Sequence, residues 1–405
     1  MSTRAPIEPS DGEPHSASES ATAPTGRVWE VAAVFLRLGL TAFGGPAAHI
    51  SAMEDDVVTR RRWLSRDAFL DLVSASNVIP GPNSTELAIH LGFQRAGWRG
   101  LLVAGGMFIG PTTLLVWLLA MAYVRYGARL EVHAMVSGMQ PVVLAVVAQA
   151  LWRLVAGHLR VRPLTLTVAA TTAVLLGVPE LTVLGAAAIA GMLLLRRPPA
   201  SAVSLLFPAA LTSVDTLARG GSAAVVALAT LPTVGGIFGS FLKIGSVLFG
   251  SGYVLLAFLR SEFVERQAWL TEGQLLDAIA IGQITPGPLF SSATFIGYLL
   301  AGHGGAAAAT IGIFLPAFLF VAVSRPLVRA VRRSALASAA LDGVNAGSLA
   351  LLVAVSLVML RSVATSPLGI GIFLVSAILL ICWRIGAGWM LLAGAAVGLL
   401  RAAIA

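Results

Sequence analysis

The sequence predicts an all-α, polytopic membrane protein built from two homologous helical half-bundles, with helices broken at Pro-Gly-Pro segments. Three observations lead there. Of 405 residues, 57% are hydrophobic and 11% charged, with a mean hydropathy of +0.87, more than a soluble domain needs for one core. Apolar runs able to cross ~30 Å of hydrocarbon recur along the chain. The chain also aligns with itself over most of its length.

Residues 1–27 are rich in Ser, Pro, Ala, Thr and Glu and lack an apolar stretch, so they read as a disordered polar tail, not a cleaved signal peptide. About twelve apolar runs follow, each near the length of a spanning helix: 28–50, 68–93, 100–124, 134–157, 163–178, 181–195, 233–258, 275–301, 304–324, 340–361, 367–383 and 385–403. They lack β-barrel alternation, and lipid offers open backbone no partner, so they are expected to be helices. The runs divide into a first repeat (28–197), a linker (198–232) and a second repeat (233–405). Cys382 is the single cysteine and cannot form an internal disulfide. The net charge of +8 resides largely in clusters beside the runs (Arg60 to Arg62; Arg196 and Arg197; Arg325, Arg329, Arg332 and Arg333). That pattern marks cytoplasmic loops rather than a nucleic-acid surface.

Residues 35–82 align without a gap to 241–288. Phe35, Gly39, Phe43, Gly44, Trp63, Asp71, Pro80, Gly81 and Pro82 recur as Phe241, Gly245, Phe249, Gly250, Trp269, Asp277, Pro286, Gly287 and Pro288. Later matches, such as Pro111 with Pro316 and Gln140 with Asn345, extend the duplication through the half. A duplicated membrane chain is the signature of secondary transporters, in which two half-bundles rock around a site at their interface. Six runs per half make the halves parallel; one further crossing in the linker would invert them, and the loop charges leave both open.

Two pairs of repeat-equivalent segments interrupt helices. In Phe43-Gly44-Gly45-Pro46 and Phe249-Gly250-Ser251-Gly252, small residues free backbone groups that protein or a polar cavity must satisfy, unless they simply end a span or allow close packing. In Pro80-Gly81-Pro82 and Pro286-Gly287-Pro288, two fixed φ angles flank a permissive glycine, giving helix, break, helix. The half-helix after each break presents free N–H groups to an anion, with Asn83, Ser84, Thr85, Ser291 and Ser292 able to add donors. The alternative is a kink that shapes packing. Arg37 and Lys243 occupy equivalent places in apolar spans, where a charge costs about 2.5–3.5 kcal/mol. They would suit a dianion, or else snorkel to the span end.

Asp71 and Asp277 are candidate proton carriers or helix-start anchors. Glu86 and His90, four apart on one face, suit proton coupling but are Ser292 and Ile296 in the second copy. No nucleotide-binding loop, dinucleotide fingerprint or metal-ligand spacing appears, so no cofactor and no metal are expected. Coupling to a proton gradient or to membrane potential remains.

With Phe43 to Pro46 and its copy, the two Pro-Gly-Pro segments, and the Arg-x-x-Trp-Leu of Arg60 to Leu64 and Arg266 to Leu270, the chain resembles the chromate ion transporter family in its long, two-domain form. The resemblance implies an inner-membrane protein that exports chromate and confers chromate resistance, with sulfate as competitor or substrate and antiport as one mode of coupling. It also implies halves of opposite orientation. A homodimer is a general expectation for such proteins. The reading from another class is an intramembrane enzyme on an anionic or lipid-linked substrate, with Glu86 and His90 as acid and base; it lacks a nucleophile cluster.

Overall fold

The computed structural model describes residues 24–127, 129–157, 161–194, 231–249, 252–363, 366–383 and 385–404. Most of the tail and linker, together with Gly250 and Ser251, lie outside the described residues. Every regular element described is helical. The first repeat comprises α1 (Pro24–Thr41), α2 (Pro46–Glu54), α3 (Arg66–Ser76), α4 (Asn83–Tyr126), α5 (Leu130–Gly157), α6 (Val161–Leu175) and α7 (Glu180–Leu194). The second repeats the order: α8 (Val234–Val247), α9 (Leu255–Leu259), α10 (Glu272–Ile284), α11 (Ser292–Arg333), α12 (Ala335–Val363), α13 (Pro367–Cys382) and α14 (Ala387–Ile404).

The expected twelve crossings change here, because four of the apolar runs fold back on themselves. Gly44 (φ 106°) and Gly45 (φ 80°) turn the chain between α1 and α2; a side chain is strained in such a conformation. Glu30 of α1 therefore accepts from Trp63 Nε1 at 2.8 Å, beyond the end of α2. The Pro-Gly-Pro at 80–82 likewise turns α3 onto the start of α4, clustering Phe69 with Leu87 and Leu91. A continuous helix of α4's length would reach ~66 Å, twice the hydrocarbon thickness. It is instead broken at Ala96 and Gly97, and α11 is broken at Ala301 and Gly302. In both, the short arm packs on the long one glycine to glycine: Gly92 against Gly100, Gly297 against Gly305. The arms 98–126 and 303–333 are the long crossings.

These two long arms run antiparallel. Trp117 Nε1 donates to His303 Nδ1 at 3.1 Å, while a Cβ on Gly105, further back, would meet Phe318, further on. Repeat-equivalent helices that oppose each other are related by an axis perpendicular to them, so the halves are inverted. Equal span counts misjudged this because fold-back hairpins were counted as crossings.

The halves also exchange helices. α5 packs against α13 and α14 of the second repeat, and α12 against α6 and α7 of the first. Small residues make both crossings close: Gly138 lies on Gly394 and Gly398, and Gly343 on Ala187 and Gly191. A Cβ on Gly343 would stand 2.0 Å from Ala187 O. Gly343→Leu is therefore expected to cost about 1–3 kcal/mol by overpacking, read as a lowered melting temperature in detergent. Leu102, Leu114 and Leu118 of α4 and Leu374 and Ile378 of α13 are exposed, as lipid-facing side chains should be.

Candidate functional site

Four breaks, two from each half, converge halfway through the fold. The link is reciprocal: Gly81 N–H donates to Leu248 O at 2.7 Å, and Gly287 N–H donates to Ala42 O at 2.9 Å. Ala42 and Leu248 are repeat equivalents, as are Gly81 and Gly287, so each Pro-Gly-Pro is pinned to the end of the other half's first helix, just before its glycine segment. Gly45 abuts the Tyr253 ring, and Gly252 abuts Pro46. Thr112, at the middle of the 98–126 arm, donates to Pro286 O at 2.7 Å. Its counterpart Ala317 lies against Gly81. The breaks thus meet near mid-membrane, where interrupted backbone is tolerated because protein surrounds it.

The half-helices begin here. Pro82 is the N-cap residue of α4, one position earlier than the first-turn place its ring suits. Thr85 and Glu86 N–H donate to Pro82 O at 2.7 and 3.0 Å, and Ser291 N–H to Pro288 O at 3.0 Å. The N–H groups of Asn83 and Ser84, and of Leu289 and Phe290, precede those ladders. Thr85, Glu86 and Ser291 are fully buried, and Thr85 Oγ1, Ser291 Oγ and both Glu86 carboxyl oxygens have no hydrogen-bond partner. Buried polar atoms are nearly always paired, so orphans gathered beside two helix N-termini mark a place for a polar guest.

Most of the other candidates have partners of their own. Ser84 Oγ lies 3.3 Å from His49 Nδ1, whose Nε2 faces Ala42 O at 3.1 Å. Asn83 Nδ2 donates to Asn77 Oδ1 at 2.6 Å, and Ser292 Oγ to Leu289 O at 2.9 Å. His90 is buried and Asp71 exposed. Asp277 accepts from Tyr123 Oη at 2.7 Å and from Gln140 Nε2 at 2.9 Å, both of the first half. Gln140 also lines a cavity of about 450 Å³ with His133, Ser137, Ser366 and Arg401. Among the described residues no three His, Cys, Asp or Glu side chains gather as metal ligands.

Arg37 and Lys243 are each paired with an acid. Arg37 Nη2 bonds Asp56 Oδ2, and Lys243 Nζ bonds Glu262 Oε2 at 3.3 Å. Asp56 and Glu262 are repeat equivalents that the sequence reading did not single out. Both sit in π-helical turns (Asp55–Arg60 and Arg260–Arg266), each followed two residues later by a residue with positive φ, Arg62 and Ala268. A π turn re-aims a side chain, and here it delivers the acid to the cation across each hairpin. The signal was legible: an acid recurs 19 residues after each cation.

No solved structure matches the chain. The chromate transporter family model matches residues 29–194 and 235–399. A chromate transport protein of Pseudomonas aeruginosa is 33% identical over 369 residues, covering 86% of either chain. A probable chromate transport protein of Synechococcus elongatus is 31% identical, covering 87% of this chain and 89% of its own. A chromate transport protein of Cupriavidus metallidurans is 29% identical, covering 93% of both. The two matched regions coincide with the two inverted sets of helices, and the chain belongs to the chromate transporter family.

Proposed function

We propose that this protein carries tetrahedral oxyanions across the inner membrane by alternating access to the centre where the four breaks meet, exporting chromate and so conferring chromate resistance. Sulfate, a dianion of similar shape, competes for the site. The orphaned hydroxyls of Thr85 and Ser291, beside the N-terminal turns of two inverted half-helices, carry this reading. Those turns supply N–H donors to anion oxygens, and the inverted halves supply two equivalent conformations. The names of the relatives support chromate as the anion. A proton gradient or the membrane potential drives the movement.

The test is flux of labelled chromate and sulfate in proteoliposomes under imposed pH and voltage gradients. Chromate is expected to move and sulfate to compete; no flux of either under any gradient sinks the proposal. Thr85→Ala and Ser291→Ala each remove one donor to a charged guest, worth about 1.5–3 kcal/mol. Half-saturating chromate should therefore rise roughly tenfold or more in each variant, with expression unchanged.

A further inference from the structure

The centre is symmetric in its backbone and asymmetric in its acid. Glu86 is fully buried without a partner for either oxygen, and its counterpart is Ser292, a residue hydrogen-bonded within its own turn. The carboxyl lies on the anion-binding turn itself. A Cβ on Gly81 would stand 2.4 Å from Glu86 Oε1, with Ala317 Cβ at 3.8 Å. In the other half the corresponding place beside Gly287 is filled by the Thr112 hydroxyl, which is already committed to Pro286 O.

Resting on the oxyanion reading of this centre, we propose that an ionised Glu86 and the transported anion exclude one another, so that the anion binds when Glu86 takes up a proton and the two cross together. Two unit charges 4 Å apart repel by about 4 kcal/mol at an effective dielectric constant of 20, and a dianion doubles this to about 8 kcal/mol. That far exceeds the 1.4 kcal/mol of a tenfold affinity change. With its proton, Glu86 becomes a donor to an anion oxygen. Without the anion, an ionised carboxyl faces the positive end of its own helix, which offsets part of the cost of burying its charge. The balance is one proton taken up by Glu86 and one dianion bound on one side, both released on the other, moving one net negative charge per cycle; in the export direction an inside-negative membrane potential drives that charge outward, and an inward proton gradient opposes it.

Among the described side chains, the charged groups on the elements packed around this arm are engaged elsewhere or exposed. His49 of α2 faces Ser84 and Ala42. Glu30 and Arg37 of α1 bond Arg95 and Asp56. Arg66 of α3 bonds Glu54, and Asp67 and Asp71 are exposed. Asp277 of α10 is held by Tyr123 and Gln140, its neighbour Glu272 by Arg260, and His303 of α11 by Trp117. His90, one turn further along the arm, is the nearest titratable group in sequence.

The experiment measures radiolabelled sulfate binding to the full-length protein in detergent at about pH 6 and about pH 8, and proton movement with a trapped pH dye during chromate flux in liposomes. One linked proton makes wild-type affinity fall about tenfold per pH unit on the alkaline limb, and one proton should accompany each anion. Glu86→Gln, which imitates the protonated acid, should bind sulfate equally at both pH values and move no protons. If Glu86→Gln does not fold, Glu86→Ser, the residue of the other half, takes its place with the same flat profile expected. A variant that keeps the wild-type pH dependence, or binds more weakly than wild type at both pH values, overturns the proposal. So does wild-type chromate flux without protons. Absence of both binding and flux in the wild type instead overturns the oxyanion reading beneath it.

Discussion

Gly287→Ala and Gly81→Ala are each expected to reduce chromate flux by more than about tenfold, since either strain or overpacking alone is worth about 1–3 kcal/mol. Gly287 has φ 89° and Gly81 φ 139°, backbone conformations an L side chain rarely adopts. A Cβ on Gly287 would lie 2.0 Å from Thr112 Oγ1, and one on Gly81 2.4 Å from Glu86 Oε1. Relief requires the break to move, and the break donates the hydrogen bond that holds the opposite half. Gly44→Ala separates the two causes. Gly44 has φ 106°, yet its Cβ would meet Ala48 Cβ at 3.2 Å, and its N–H makes no bond to the other half among those described. Flux measured beside melting temperature should show a small loss for Gly44→Ala and a large one for the other two. Equal losses in all three would assign the effect to backbone strain and remove the interlock from the mechanism.

What the sequence revealed of this arrangement was local. Pro-Gly-Pro and paired glycines act on their own φ angles and donors, so the breaks at Gly44, Gly81 and Gly287 could be located from residue type alone. The duplication exposed them twice. Whether a broken apolar run continues across the membrane or folds back is a different matter, decided by contacts such as Glu30 with Trp63, and hydropathy is blind to it. Orientation of the halves was lost with it. The exchange of α5 and α12 between halves was equally hidden, because apolar helices in lipid carry no pairing code beyond small residues such as Gly138 and Gly394. Among the residues of the candidate centre, Thr85, Glu86 and Ser291 were legible from their distance from the break. Thr112 was not, since it reaches the centre from an arm remote in sequence, nor was Tyr253, which follows the second glycine break directly but meets Gly45 of the other half.

Arg37→Ala should destabilise the protein by about 3 kcal/mol, and Lys243→Ala by under about 1 kcal/mol, although the repeat makes them equivalent. The difference lies in what each leaves behind. Asp56 has a side chain 4% exposed, and its hydrogen bonds among the described residues come from Arg37. Losing the guanidinium strands a buried charge, the costly way to break a pair. Glu262, 8% exposed, keeps Arg266 at 3.3 Å and Gln267 at 2.6 Å after Lys243 is removed. Arg37→Ala combined with Asp56→Ala removes the stranded charge and should recover most of the lost stability. If these cations serve the hairpins, the double variant also recovers chromate flux, because the breaks are again held in place. If they bind the dianion, stability returns without flux, and Lys243→Ala weakens chromate half-saturation while its melting temperature stays near that of the wild type. Thermal denaturation in detergent alongside liposome flux on the four proteins separates these outcomes. The ion pairs favour the first: each cation's charge is already offset by a buried carboxylate, whereas the N–H groups and orphaned hydroxyls at the breaks need nothing displaced except the Glu86 carboxyl.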